Sequence, residues 1–529
     1  MAEELKGRSL SGERLGWTLF AGLVLLHVAL ALLVFDPKPF VGGDNAGYMI
    51  LAESIETGQG YRDIHIPGAP RHGQYPPVYP TVLAIAGALG GSLITFKILS
   101  TVFTAASLLF LFLLARRRLE LEGALAVVAA FAVSPVLVYY SHWVLSEALF
   151  VLLTLVALWA AERLLESWRW LALTVGFALL AYLTRSAGLP LVAALLVVLA
   201  SKRRWRELAA AGGAALAVGI AWWGWGRLAA GESAQVYSSN FLLIDPYDPE
   251  LGMIGPGGLL ARVIYNIRLY AIDVLPESLV GVAPGMLTML VAFVVALLLI
   301  ALALVAWVRG IRREHVLELF VFFYVGLIVL WPEAWTDRRF LLPVLPAAFL
   351  LGAAGLRWCL DFLRAPRRAW SVPVFGAILV MLAVPGLVLS IGYSQRCMRM
   401  YRQGDELACY PEAWRAFAEM AYWVRDNTPE DAIVVGRKPR LFYIFSGRRG
   451  NVYPFTTDEE EMLAFFDEVR ADYVVVVPVS RTTYQYVLPV VLSVPERFEV
   501  VHSDQEEIPS YVLKYYPEGD APSWPEAEG

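Results

Sequence analysis

Long apolar runs separated by short polar segments recur from residue 15 to residue 392, and beyond that point the apolar runs shorten and charges become frequent. A bilayer crossing takes roughly 17 to 25 predominantly apolar residues. On that measure the pattern predicts about eleven spans, near 15–35, 93–115, 122–139, 143–162, 169–184, 187–201, 208–228, 283–308, 316–331, 340–361 and 371–392. The two spans around Thr184-Arg185-Ser186 are short, and Val78 to Leu89 is open to lying along the interface. Residues 1–14 are polar and mixed in charge, and the first run (Trp17 to Phe35) lacks a small-residue cleavage signal after it, so it reads as a retained span with a cytoplasmic N-terminus.

Short loops rich in Lys and Arg mark the cytoplasmic face. Arg116-Arg117-Arg118, Lys202-Arg203-Arg204 with Arg206, Arg309 with Arg312 and Arg313, and Arg364 with Arg367 and Arg368 all fall on the side of the N-terminus. The opposite face then receives loop 36–77, the tip at Arg185, loop 229–282, the tip from Trp331 to Arg339, and everything from 393 to 529. In that tail, Asp431-Ala-Ile-Val-Val-Gly and Asp472-Tyr-Val-Val-Val-Val-Pro read as buried strands between helical segments, with a turn at Asn427-Thr428-Pro429. The expected fold is mainly α, a polytopic helix bundle over 15–392 with a small extracytoplasmic α/β domain over 393–529.

Composition narrows the classes. With 58% hydrophobic and 17% charged residues, most of the chain belongs in lipid, and a net charge of −5 with scattered basic residues argues against nucleic acid as a partner. Three cysteines are too few for a zinc cluster or a disulfide framework; Cys359 sits in an apolar run, whereas Cys397 and Cys409 could close a short loop if the tail is extracytoplasmic.

A transporter hides ionisable groups near the bilayer midplane. Here they collect in the external loops instead: Asp44, Tyr48, Glu53, Tyr61, Arg62, Asp63, His65, Arg71 and His72 in the first, and Glu333, Asp337, Arg338 and Arg339 in a later one. Asp44, in Gly43-Asp44-Asn45-Ala46-Gly47-Tyr48 just after the first span, reads either as a helix cap or as a general base whose proton affinity partial desolvation would raise. Tyr75 and Tyr79 read as interfacial anchors or as walls of a lipid or sugar pocket, and Glu147 as a helix-dipole partner or a site residue. Arg185, a lone guanidinium between apolar helices, needs an anion, which phospholipid headgroups, Glu147 or a carrier phosphate would supply. Arg338 and Arg339 are either snorkelling arginines or a phosphate clamp. His65 and His72 beside Asp63 leave a divalent cation open, although their spacing fits no dense ligand motif.

Four stretches together resemble the GT-C superfamily, the polyprenyl-phosphate-dependent glycosyltransferases that include protein O-mannosyltransferases and lipid A aminoarabinose transferases. They are Gly43 to Tyr48, Tyr75-Pro76-Pro77-Val78-Tyr79-Pro80, Ser146-Glu147-Ala148-Leu149-Phe150, and Asp337-Arg338-Arg339-Phe340 running on to Pro346. The resemblance implies an inverting transfer of sugar from a polyprenyl-phosphate carrier to the hydroxyl of a protein, lipid or glycan, in a bacterial inner membrane, with Asp44 as the base. Tyr48, Arg62, Asp63, Tyr75, Glu147, Arg185, Arg338 and Arg339 are the expected substrate- or carrier-binding residues. Three departures stand out. Many relatives carry Asp-Glu where this chain has Asp44-Asn45, and the aminoarabinose transferases have a basic residue at the place of Gly47 and a lysine in the neighbourhood of Tyr75. Phosphate binding is therefore expected from Arg185, Arg338 and Arg339.

Two other readings remain at this point: a non-catalytic membrane protein that binds or flips lipid carriers or glycans, and a metal-dependent oligosaccharyltransferase, which would need more acidic ligands than Asp44 and Asp63. The orientation is testable directly. A cysteine placed in the tail should react with an impermeant maleimide from the non-cytoplasmic side, and labelling only from the cytoplasmic side would overturn the topology.

Overall fold

The computed structural model describes residues 2–230, 241–281, 285–313, 315–364, 368–504 and 509–518. Parts of two expected segments, loop 229–282 and the tail ending at 529, lie outside the described residues.

Every expected span is met by helix, but not at uniform length. Among the described residues, six helices are long and apolar enough to cross a membrane: Glu13–Leu33, Leu93–Ala115, Trp205–Ala230, Met286–Ile311, Leu345–Phe362 and Trp370–Arg402. The others are shorter for identifiable reasons. Pro135 starts a new helix after Ser134, so the span expected over 122–139 divides into Leu121–Ala132 and Pro135–Tyr140. The span expected from 340 begins only at Leu345, behind a tight turn over Arg338–Leu341. Val78–Ala88 is an 11-residue helix, about 16 Å long at 1.5 Å per residue, too short to traverse a hydrocarbon core of ~30 Å. The last long helix, Arg368–Arg402, runs unbroken through residue 393, where the soluble region was expected to begin.

The two ends of the bundle differ in character. Arg118 pairs with Glu162 (2.7 Å) and Glu318 (2.5 Å), and Lys202 Nζ donates to the Arg313 carbonyl (3.3 Å), so three of the basic loops converge. Glu147 starts the 15-residue helix Glu147–Ala161 that separates Glu162 from the opposite end. The acidic and aromatic residues of the first loop gather at that opposite end.

The C-terminal region is an α/β layer. Its five strands are β3 (Ile433–Gly436), β4 (Arg449–Asn451), β5 (Tyr473–Val476), β6 (Phe498–Ser503) and β7 (Tyr511–Tyr515), in the order β4-β3-β5-β7-β6. β3 is parallel to both β4 and β5, whereas β7 is antiparallel to β5 and β6. The valines read as strand residues are covered on both faces, Val434 and Val475 by one apolar cluster and Val435, Val474 and Val476 by another.

This domain is docked on the loops at the Asp44 end of the bundle. Ala46 of the Gly43–Glu56 helix lies in the same apolar cluster as Phe417, Leu441 and Phe442. The Gly450 amide donates to the His65 carbonyl (2.8 Å), and the Tyr410 hydroxyl to that of Pro39 (2.6 Å). A hairpin in the second large loop, β1 (Leu243–Asp245) and β2 (Asp248–Met253), meets the domain through Tyr486, which donates to the Tyr247 carbonyl (2.9 Å), and through Thr457 and Glu250 (3.0 Å).

Cys397, on the extension of the last long helix, is joined to Cys409 by a disulfide spanning 12 positions, and Cys359 is free. Closing a loop of that size stabilises by about 3 kcal/mol in the chain-entropy view. Alkylation of the denatured, unreduced protein should therefore modify one cysteine, and three after reduction. Cys409→Ser should lower the thermal midpoint of the detergent-solubilised protein.

Candidate active site

Asp44 stands in the first turn of the Gly43–Glu56 helix, whose cap position is Gly42, and its side chain does not serve the helix end. Instead Oδ1 accepts a hydrogen bond from the Tyr75 hydroxyl (2.8 Å) and Oδ2 one from Arg339 Nη2 (2.6 Å). The capping reading of Asp44 is thus replaced by a tertiary one. Burial does push the carboxyl's proton affinity up, as expected from the sequence. The adjacent Arg339 guanidinium, the Tyr75 hydrogen bond and the field of Arg185 outweigh it and hold the group well below the usual carboxylate range. The expectation of a raised proton affinity is overturned because the guanidinium comes from a residue 295 positions away.

Behind this pair lies a second one. Glu147, at the start of its helix and only 2% exposed, has Arg185 Nη1 2.8 Å from Oε1. Neither oxygen of Glu147 is engaged in a directed hydrogen bond among the described residues, so the contact is an ion pair held by distance and charge. Arg339 bridges the two layers, its Nε lying 3.5 Å from Glu147 and 3.4 Å from Asp337. Ser146 ties the layers together: its hydroxyl accepts from Arg185 (2.9 Å) and shares a hydrogen bond with Tyr48 (2.9 Å). Tyr48 packs against Tyr75 and Tyr79, with ring centres 4.7 and 4.9 Å away.

The rest of the first loop positions Tyr75. Its backbone amide donates to His72 Nε2 (2.7 Å), which fixes that nitrogen as an acceptor, so Nδ1 carries the proton and donates to Asp63 (2.9 Å). Burial keeps His72 neutral against the pull of Asp63, and it lowers His65 to about 3. The Tyr61 hydroxyl donates to the Tyr75 carbonyl (2.8 Å). Asp63 is therefore brought into the site's support and not to its open face.

Other expected site residues go elsewhere. Arg62 donates to the Ala69 carbonyl (2.9 Å) and pairs with Arg71 in a short antiparallel bridge, holding the loop's own turn. Arg338 and Arg339 sit on a tight helical turn, where adjacent side chains diverge by about 120°. Arg339 faces Asp44 while Arg338 lies over the Tyr139 ring (5.0 Å). A two-arginine fork from these neighbours is not what the turn presents.

The sequence reading missed a contribution from the α/β domain. Arg440, in the first turn of the Pro439–Ser446 helix, donates to the Tyr75 hydroxyl (2.8 Å) and to Gln74 Oε1 (3.1 Å), and approaches Asp63 (4.0 Å). Gly47 makes room for it. A Cβ there would stand 2.8 Å from the Tyr75 ring and 3.3 Å from Arg440. The signal that could have found it is Gly436-Arg437-Lys438-Pro439-Arg440, three cations in four residues at the end of a buried strand.

A divalent cation finds poor accommodation here. Asp44 faces a guanidinium, Asp63 is used by His72, and among the described residues no group of three or more His, Cys, Asp or Glu is placed to hold a metal.

Comparison with known proteins agrees with this architecture. The family model for dolichyl-phosphate-mannose-protein mannosyltransferase matches residues 74–225, under a third of the chain, which includes Tyr75, Glu147 and Arg185 but not Asp44 or Arg339. ArnT from Cupriavidus metallidurans bound to undecaprenyl phosphate is similar in structure, with a TM-score of 0.56 and 15% identity over 93% of this chain and 98% of that one. So is the archaeal oligosaccharyltransferase AglB from Archaeoglobus fulgidus in complex with an inhibitory peptide and a dolichol-phosphate (TM-score 0.52, 14% identity, 86% of this chain and 69% of that one). The Archaeoglobus fulgidus oligosaccharyltransferase in complex with Zn and sulfate gives 0.53 and 15% over 86% and 67%. No curated protein matches the sequence. At these identities the structural likenesses establish the fold.

The Asp44–Arg339 pair has a measurable pH signature. A carboxylate depressed in the folded state stabilises above its unfolded pKa, and that stabilisation is lost as pH falls through the folded value. Asp44→Asn should therefore lower the unfolding midpoint at pH 7, followed by tryptophan fluorescence in detergent. The deficit relative to wild type should close as pH falls below about 4, the ordinary carboxylate range; a deficit independent of pH would count against the ion pair.

Proposed function

We propose that this chain, a GT-C superfamily protein by its fold and by the family match over residues 74–225, transfers a sugar from a polyprenyl-phosphate carrier to an acceptor hydroxyl at the outer membrane surface, with inversion at the anomeric carbon. The observation that carries the reading is Asp44 itself: a carboxylate with 30% of its side chain open, at the lip of a site whose floor is built from Arg185, Glu147 and Arg339.

In this scheme the acceptor hydroxyl donates its proton to Asp44 while its oxygen forms the new bond to the anomeric carbon. The bond from that carbon to the carrier's phosphate oxygen breaks, and its electron pair leaves with the phosphate. Arg339 and Arg185 stabilise the charge that develops on the leaving oxygens. Glu147 does not suit the part of the base, because it is buried and engaged by Arg185. Tyr48, Tyr75 and Tyr79 are buried and pack on one another, so their part is to brace Asp44 from beneath through the Tyr75 hydroxyl.

A depressed pKa makes Asp44 a weak base at rest. Approach of the carrier phosphate offers Arg339 a second anion, which loosens its hold on Asp44 and raises the carboxylate's proton affinity as the acceptor arrives.

The test is sugar transfer in proteoliposomes with a polyprenyl-phosphate-linked donor. Asp44→Asn should lose transfer by at least about a hundredfold, the scale of general-base catalysis, while binding the carrier at least as well as wild type, since Arg339 is then released from its resting partner. Arg185→Ala and Arg339→Ala should weaken carrier binding. Wild-type turnover in Asp44→Asn would remove Asp44 from the mechanism, and carrier binding without turnover in the wild-type protein would favour the non-catalytic reading.

A further inference from the structure

Around Asp44 most cations already have partners. Arg339 is committed to Asp44, Arg185 to Glu147, and Arg440 to Tyr75 and Gln74. Lys438 differs. It precedes the Pro439–Ser446 helix with a left-handed backbone (φ 59°), and its aliphatic chain and ammonium lie across Gly43, where a Cβ would meet Cδ at 3.7 Å and Nζ at 3.8 Å. The ammonium thus rests on the first turn of the helix that carries Asp44. Among the described residues its side chain makes no hydrogen bond and no ion pair, since none of the contacts in this cluster involves it. The charged groups facing it are Asp44 on the first-loop helix, Arg339 on the late turn, and Arg437 and Arg440 on its own segment.

An unpaired ammonium set among three guanidiniums and one carboxylate is electrostatically unfavourable, and so is the left-handed conformation of a lysine. A phosphate group arriving above Asp44 would relieve the first cost, and it would complete a cradle with Arg339 on one side and the α/β domain on the other. We propose that Lys438 is a direct ligand of the donor phosphate, so that the soluble domain supplies part of the site. This rests on the carrier-phosphate reading above.

The same chemistry, a lipid phosphate, could be presented by the carrier or by a bulk phospholipid, and the experiment separates them. Binding is measured to the purified full-length protein in nanodiscs with three probes: undecaprenyl phosphate, undecaprenol, and phosphatidylglycerol as competitor. Lys438→Asn is the main variant, because asparagine tolerates the left-handed backbone and removes the charge; Lys438→Arg keeps the charge. Wild type should prefer undecaprenyl phosphate to undecaprenol, Lys438→Asn should lose about tenfold of that preference, and Lys438→Arg should retain it to within about threefold, with phosphatidylglycerol a poor competitor throughout.

A pH profile distinguishes a ligand from a structural lysine. Burial, and then Arg437, lower Lys438 to about 8 in the free protein. The preference should therefore decline in wild type between pH 8 and about pH 9.5 and stay level in Lys438→Arg, as one pKa unit is a tenfold change in charged fraction. An unchanged preference in Lys438→Asn overturns the assignment while leaving the proposed function standing. Equal binding of undecaprenyl phosphate and undecaprenol by wild type overturns both, and effective competition by phosphatidylglycerol assigns Lys438 to bulk lipid instead.

Discussion

Two opposite charges at the surface of an apolar bundle, Asp44 and Arg339, 2.6 Å apart, set the constraint that the rest of that face obeys. Neither charge can stand alone where lipid and protein displace water, and each brings others with it. Arg339 also reaches Glu147, which requires Arg185, which requires Ser146 and through it Tyr48. Asp44 requires Tyr75, whose backbone is held by His72 and Asp63 and whose hydroxyl is held by Arg440. The first loop, three span ends and the α/β domain are thereby fastened at one place.

That fastening explains why the α/β domain packs where it does. Ala46 contributes to the domain's apolar cluster only two positions after Asp44, so the helix that bears the carboxylate belongs to the membrane region by its N-terminal connection and to the α/β layer by its packing. The Gly47 backbone lies against Arg440 without an intervening side chain. The cation that reaches this position comes from residue 440 of the α/β domain.

The membrane architecture was legible because lipid imposes a crude and length-dependent rule on sequence. Where the rule was locally broken, at Ser134-Pro135 and around Pro343, the helices begin or end at different points from those predicted. Asp44 and Arg185 stood out for a related reason, since an isolated charge next to an apolar run is conspicuous. The directions of Arg338 and Arg339 were not legible, because adjacency in sequence hides the divergence that a tight helical turn imposes. Arg440 and Lys438 were missed because they sit in a segment of ordinary soluble composition, where a cation is no signal until tertiary structure lays it beside a carboxylate. The reversed proton affinity of Asp44 has the same origin: desolvation follows from local sequence, whereas the guanidinium that outweighs it does not.

On the proposed chemistry, the shared use of Arg339 orders the events at the site. While Arg339 holds Asp44, the carboxylate is shielded and weakly basic, so a water molecule reaching the lip meets a poor base. A carrier phosphate competes for the same guanidinium, and only then does the carboxylate regain the affinity needed to accept a proton. The resting ion pair would thus act as an internal occupant of the phosphate position, stabilising the fold until donor arrives. The cost is that part of the donor's binding energy goes into breaking that pair, which favours a site with further cations in reserve, and Lys438 beside Gly43 is placed to serve as one.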